Sequence, residues 1–569
     1  MTMDTSSIPH LVETANSKQL HVHGKPFLML PAELQNSSFT SEEYMSTVWQ
    51  NLKDINANTI LGCVTWEMIE PIEGRFDFSR LNKMIEGARE FGLHLVLLWF
   101  GSFKNGLSTY VPSWVKANPK RFPRAKLRKA GGVLETADVL SLFHHEALEA
   151  ESIAFAALMM YLEDIDSELR TVLMVQVENE TGLLGDSRDA CVAANKKFSE
   201  DVPKDLVSFF VEEWDSLHPD LKETIGPVLK DGKGAYPEGS WEEVFGKGQR
   251  TDELFMAYHY AHYVNHIAEI GKRNYPIPLY TNTWMNYSGD NLDNAFPIVA
   301  GGGRMPGDYP SGGPVSNVLD IWQRFAPNLD FISPDIYLNN YEISCAKYRH
   351  RDQPLFIPEQ RRDDYGARRI WIAYGSYGAI GASPFGIDTV DPKTSPFTKH
   401  FGLLKSVSAL VLEAQRNPGS SVGFCFDELP KDALVDPAKP IVRRWGGFEI
   451  TIEPCFVFGK RGAGSGMVIH RSGANFLLIG WGFQVRAKSL SRTAGFTGIL
   501  RFEEKVVVDH KTGELRTERW LNGDETRSGK FVMMPNEDPD YGGFPISVTI
   551  PARTMIAELE VYSLEESDK

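Results

Sequence analysis

Cysteine is scarce in this sequence. Five stand among 569 residues (Cys63, Cys191, Cys345, Cys425 and Cys455), an odd number and never in C-x-x-C spacing. That excludes a disulfide framework and a thiolate zinc site, and it fits a reducing compartment. Basic excess is also missing: 59 Lys+Arg stand against 75 Asp+Glu, a net charge of −16. Nucleic-acid and anionic-membrane surfaces, which need clustered Lys and Arg, are therefore not expected. The first twenty residues lack the basic start and apolar run of a signal peptide, and no run of 18 apolar residues occurs. The expectation is a soluble, cytoplasmic protein. Nucleotide signatures are absent too, since no Walker loop and no G-x-G-x-x-G follows a strand. The glycine clusters at 301–303 and 462–466 read as plain loops. His259, His262 and His266 share one helix face without the H-E-x-x-H spacing, so no metal is expected. No cofactor is implied.

What is present is alternation. Short apolar runs at Phe27–Pro31, Thr59–Val64, His94–Phe100, Thr171–Val177, Pro278–Asn282, Phe331–Ser333, Leu355–Ile357 and Ala379–Ser383 read as strands. Between them, segments such as 41–54, 80–91, 144–163 and 253–273 carry apolar residues at three and four residue spacing and read as helices. Eight strand–helix units predict an α/β fold, a (β/α)8 TIM barrel. Beyond about residue 440 the chain becomes β-rich with Gly, Asn and Asp turns. The domain reading is an N-terminal extension at 1–24, a barrel at 25–440 with a long insertion at 181–278, and a C-terminal β-sandwich at 441–569. An insertion after a barrel strand is expected on the active-site face.

Two strand ends carry candidate chemistry. The run VLMVQVENETG (172–182) passes from an apolar strand into Glu178-Asn179-Glu180, and QPLFIPEQ (353–360) ends at Glu359. Alternation along a strand puts Glu178 and Glu180 on one face and Asn179 on the other, unless the strand bends. Two glutamates on one rim are the minimum apparatus for glycoside cleavage, one to protonate the leaving oxygen and one to attack the anomeric carbon. The structural alternative is capping or ion pairing, as of Glu359 with Arg361 or Arg362. Trp66, Trp99, Trp284 and Tyr337 lie at or just past strands, where flat faces suit a pyranose as well as a core. Glu33 and Glu67 are further rim residues able to bind sugar hydroxyls, or to cap a helix or form salt bridges.

These motifs resemble those of clan A retaining glycosidases. The marks are the Asn-Glu ending the fourth strand, the Glu ending the seventh, and W-E-M-I-E-P-I-E-G-R-F-D-F (Trp66 to Phe78). Q-V-E-N-E-T-G is similar to the Q-x-E-N-E-x-G of glycoside hydrolase family 35, the β-galactosidases. L-W-F-G-S-F-K-N-G (Leu98 to Gly106), V-P-S-W-V (111–115) and GDSRDACVAAN resemble a bacterial and fungal subset with a C-terminal β-domain of uncharacterised function. The resemblance implies Glu180 as general acid/base, Glu359 as nucleophile, Asn179 on the sugar 2-hydroxyl, and Asn105 in the third-strand loop. Two departures fall at galactose-contacting positions: Cys63 stands where a Tyr is common, and Leu107 follows Asn105 where a Glu is common. The implied activity is a retaining exo-β-glycosidase, foremost a β-galactosidase acting on small oligosaccharides or glycosides. The alternatives are a β-glucosidase or transglycosylase with the same pair, or a non-catalytic carbohydrate-binding protein. A homo-oligomer is compatible, and the β-domain suits structural support or a dimer contact.

Overall fold

The computed structural model describes residues 8–229, 236–287, 302–429, 437–455, 461–536 and 553–565. Two compact units result. One holds Lys18–Gln360, Ser383–Val390 and the segment up to Val12. The other holds Glu13–Ser17, Arg361–Ala382 and the chain from Asp391 on.

The first unit contains the expected alternation. Strands β1 (Pro31–Glu33), β2 (Thr59–Thr65), β3 (His94–Lys104), β4 (Val172–Asn179), β5 (Leu279–Trp284) and β6 (Phe331–Asp335) form one sheet in sequence order. Every neighbouring pair is parallel. A parallel bridge from Ile336 to Gln360 carries the order on to β7 (Phe356–Gln360), and β7 pairs with β8 (Gly381–Pro384). The ring returns to its start through Asp388, just past β8. Its carboxylate accepts from Gln35 N (3.1 Å), Ser38 Oγ (2.6 Å) and Tyr44 Oη (2.8 Å), all just past β1. This is the strand order of a TIM barrel. β4 is buried at all eight positions, as strands covered on both faces must be, which explains its unbroken apolar run.

Helix α1 (Ser79–Glu90) follows β2, α2 (His145–Asp166) precedes β4, and α3 (Gln249–Asn274) precedes β5. Along α2 the buried residues include Ala147, Ala150, Ala154, Leu158 and Leu162, the three and four residue spacing seen in the sequence. The segment 41–54 is two short helices, Glu42–Ser46 and Trp49–Asp54, rather than one. Part of 181–278 is not an insertion, because α3 is itself the barrel helix that returns to β5. His259 on α3 is half-buried among Phe143, Phe255 and Tyr258, and burial pushes its pKa down to about 3, so its ring is neutral and packs on aromatics. The expected N-terminal extension forms a three-stranded sheet of His10–Glu13, Lys18–Val22 and Lys25–Pro26, with residues 1–7 outside the described ones.

The second unit holds two antiparallel sheets that share one core. Six strands form the first: Ser421–Phe426, Gly464–Ser472, Asn475–Trp481, Ala494–Asp509, Glu514–Trp520 and Ile556–Glu565. The second contains Ile441–Trp445, Phe448–Pro454, Phe483–Ser489 and Val532–Met534. Phe424, Leu478 and Leu559 of the first sheet and Ile450, Val485 and Val532 of the second are buried together, which makes a sandwich. It begins before the expected residue 441, since Ser421–Phe426 belongs to it. Helix Asp364–Ser376 packs directly on that strand: a Cβ at Gly423 would meet the Trp371 carbonyl oxygen at 1.7 Å. Only glycine allows that approach. Among the described residues no helix is long and apolar enough to cross a membrane.

Candidate active site

The C-terminal ends of the barrel strands surround a cavity of about 220 Å³. Its walls include Asn36 past β1, Lys104 and Asn105 at the end of β3, Glu180 past β4, Trp284 on β5, Asp335 and Tyr337 at the end of β6, and Glu359 on β7. Lining also comes from Met285, Tyr287, Asn339 and Phe385. No described residue of 181–278 is among them. That segment packs instead on 307–311, through Leu183 with Ser311 and Gly185 with Gly307, so the expected insertion wall is built by other loops.

The end of β4 bends. Glu178 and Glu180 both have positive φ (61° and 45°), and so does Asn105 opposite (54°). Such values are uncommon for residues with a Cβ and persist only where neighbours enforce them. The enforcement is visible: Asn105 N donates to Asn179 O (3.1 Å), Gly106 N to Glu180 O (3.2 Å), and Glu180 N to Asn282 Oδ1 (2.9 Å). The bend overturns the expected alternation. Glu178 turns away and accepts from the amides of Gly101, Ser102 and Phe103 at 3.2, 3.0 and 2.8 Å. Glu180 is left at the cavity, and Asn179 is left beside Glu359.

Glu180 and Glu359 are 8% and 7% exposed, and Asp335 is 4% exposed. One carboxylate oxygen of each lies within 4.8 Å of the others. Around Glu359, Tyr337 Oη donates to Oε2 (2.9 Å), and the Asn179 and Asn282 amides reach Oε1 at 3.4 Å each. Lys104 Nζ donates to Asn179 Oδ1 (2.8 Å) and orients that amide. Burial works against the Lys104 charge, yet Glu359 and Glu180 outweigh it and hold its pKa above the ordinary lysine value. Burial foremost, then the charge of Glu359, raises the Glu180 carboxyl to about 7. Glu33 is 1% exposed, both its carboxylate oxygens find no hydrogen-bond partner among the described residues, and burial with the Glu359 charge pushes its pKa well up. A divalent cation could in principle bridge the three clustered carboxylates. However, Tyr337, Asn282 and Asn179 already donate into the cluster and Lys104 supplies a positive charge, which suits proton holding better than ion holding.

Of the sequence candidates, the fold brings Glu180, Glu359, Asn179, Asn105, Trp284 and Tyr337 together, with Glu33 electrostatically linked to them. Trp66 and Glu67 are not brought in. Trp66 is fully buried, with its indole N–H on Glu70 Oε2 (2.8 Å) and its ring against Trp114. Glu67 pairs with Lys116 (2.8 Å) and lines a separate apolar cavity bordered by Met68, Leu81 and Met84. Trp99 is core, donating to Glu151 (3.0 Å). A short helix starts directly at Trp66, so the residues after β2 coil away from the rim. Lys104, Asn282 and Asp335 were not singled out. Asp335 carried the same signal as the two glutamates, a charge ending an apolar run, but the expected strand stopped at Ser333.

Residues 38–207 match a family model described as Beta-galactosidase, that of glycoside hydrolase family 42, and residues 397–533 match a Domain of unknown function (DUF5597). The family whose model matches is thus not family 35, to which the Q-V-E-N-E-T-G run pointed. The match supports a glycoside hydrolase. Similar solved structures include the catalytic domain of β-amylase from Paenibacillus polymyxa, 13% identical with a TM-score of 0.45, covering 65% of this chain and 97% of that one. Two β-galactosidases, from Bacillus circulans sp. alkalophilus and from the psychrophilic Marinomonas ef1, are each 14% identical with TM-scores of 0.44. Each covers 68% of this chain, and 57% and 62% of theirs. The chain spans about three-fifths of the length of those β-galactosidases. No curated protein matches it.

Proposed function

We propose that this protein is a retaining exo-β-glycosidase that releases terminal β-D-galactose from small oligosaccharides or glycosides by double displacement. The observation that carries the reading is the pair Glu180 and Glu359 on one rim, with one carboxylate oxygen of each within 4.8 Å of the other, close enough to suit the shorter of the two spacings glycosidases use. Retaining enzymes hold their carboxyls roughly 5–5.5 Å apart, whereas inverting ones leave about 6.5–9.5 Å for a water. In the first step Glu359 attacks the anomeric carbon while Glu180 gives its proton to the departing oxygen. Glu180, now a carboxylate, then takes a proton from water, which displaces the sugar from Glu359. Tyr337 and the Asn179 amide orient Glu359, and Asn179 is within reach of the 2-hydroxyl. Galactose is the preferred hexose because the matched model is one of β-galactosidases.

The test is a panel of aryl β-glycosides with wild type and Glu359→Ala, with proton NMR of the first-formed anomer. A β-product from a β-galactoside, lost in the variant, is expected. An α-product would mean inversion, and turnover of glucosides alone would replace the hexose.

A further inference from the structure

The third carboxyl of the cluster, Asp335, is not required by the two-glutamate reaction. It ends β6 and faces Glu180 and Asn282. Asn282 Nδ2 donates to Asp335 Oδ2 at 2.7 Å, while Oδ1 is buried and accepts from no donor among the described residues. One carboxyl oxygen of Asp335 lies within 4.8 Å of one of Glu180. Two buried carboxyls can bond only if a proton lies between them. The same Asn282 accepts from Glu180 N, so one amide spans β4, β5 and β6 and holds both acids in place.

We propose that Asp335 is a positioning residue that stays protonated through the reaction cycle and donates its hydrogen bond to Glu180. This rests on the glycosidase reading above. In the first step Glu180 loses its proton to the leaving oxygen, and the Asp335 O–H then faces a carboxylate, the stronger acceptor. In the second step Glu180 recovers a proton from water, while Asp335 keeps its own throughout. The surroundings agree on which carboxyl holds the proton. Burial first, then Glu359, Glu180 and Glu33, raises the Asp335 pKa well above its ordinary value, and its side-chain pairing with Glu180 raises it further. The same pairing lowers that of Glu180. Of the other groups around it, Tyr280, Tyr337 and Tyr348 are neutral phenols, each raised by burial. Lys104 acts on Glu180 and Glu33 and lowers the pKa of each.

Asp335→Asn and Asp335→Ala separate the possibilities. An Asn side chain can donate N–H to Glu180 and accept from Asn282, so Asp335→Asn should keep the basic limb of the kcat/KM profile within about half a pH unit of wild type. Asp335→Ala loses the donor and should move that limb up by about one to two pH units, the size of one hydrogen bond to a charged group. A downward shift in Asp335→Asn would mean that an anion had been removed, which overturns the proposal. So would an unchanged limb in Asp335→Ala. Infrared difference spectra of wild type minus Asp335→Asn at about pH 7 give a readout free of activity. A protonated-acid carbonyl band is expected, and a carboxylate band in its place overturns the proposal. A wild type that turns over no aryl glycoside would sink the glycosidase reading while the infrared arm still decides the state of Asp335.

Discussion

Glu180 meets two demands that pull its proton in opposite directions. In the proposed mechanism it is an acid while the glycosidic bond breaks and a base while water attacks. Burial and the nearby Glu359 charge keep it protonated to about pH 7, and Lys104 and the pairing with Asp335 pull the other way. The outcome is a group poised near neutrality, where acid–base catalysis is most effective. Glu180→Ala should therefore lower kcat on alkyl glycosides by roughly 10²–10⁴-fold, the usual worth of a positioned acid. It should spare aryl glycosides whose leaving group needs no proton. Glu359→Ala should abolish turnover of both. Steady-state rates on a series of leaving groups check this, and equal losses in the two variants on every substrate would reverse or break the assigned roles.

At the scale of elements, the site depends on how β3 ends. The backbone there leaves regular pairing between Trp99 and Lys104, and the loop turns to hold Asn179 and Glu180. Gly101 lies at the start of this departure, where a Cβ would meet Glu151 Oε1 at 2.1 Å and Trp99 Nε1 at 2.6 Å. Glu151 is itself tied to Trp99 and Tyr263, so it cannot withdraw cheaply. Gly101→Ala should cost about 1–3 kcal/mol by overpacking. It should also lower kcat, because the displaced segment carries Lys104 and Asn105. Urea denaturation with activity assays tests both, and a variant as stable and active as wild type would refute the tie between this core and the rim. The same scale explains the misplaced aromatics. Being just past a strand gives nearness to the rim but not direction, and the helix beginning at Trp66 turns its indole into the interior.

For the whole molecule, concentrated buried carboxyls cost stability once they ionise. Glu180 has a folded pKa of about 7 against an ordinary 4.5, so the folded state binds the proton more tightly than the unfolded one. That contribution is complete below about pH 4.5 and is lost as pH rises through about 7, with a magnitude on the order of 3 kcal/mol. Glu180→Gln removes this titration. The variant should gain stability relative to wild type at pH 8, with little relative change at pH 4.5. Tm measured across this range checks the sign, and parallel pH profiles in the two proteins would contradict it. Wild type thus gives up stability once Glu180 loses its proton, a cost of the kind functional sites commonly carry.

How much of this was legible in the sequence follows from what is local. Seven of the eight barrel strands were visible, because a buried parallel strand must be a short apolar run whatever surrounds it, whereas the first, Pro31–Glu33, meets the expected Phe27–Pro31 only at Pro31. Glu180 and Glu359 stood out for the same reason, as charges ending such runs. What only the tertiary structure decided was where side chains point once the strands end. Glu178 and Glu180 part because hydrogen bonds from the β3 loop and Asn282 hold their backbone at positive φ. Those partners lie about 75 and 100 residues away in the chain. Asp335 joins the site because β5 and β6 set its carboxyl beside Asn282, a register no run of residues records. The start of the sandwich escaped for a related reason. Gly423 is an ordinary loop or strand glycine in the sequence, and becomes a point of helix–strand contact only when Trp371 is packed upon it. Periodicity is written in each segment alone, whereas direction, register and close approach arise from pairs of segments distant in the chain.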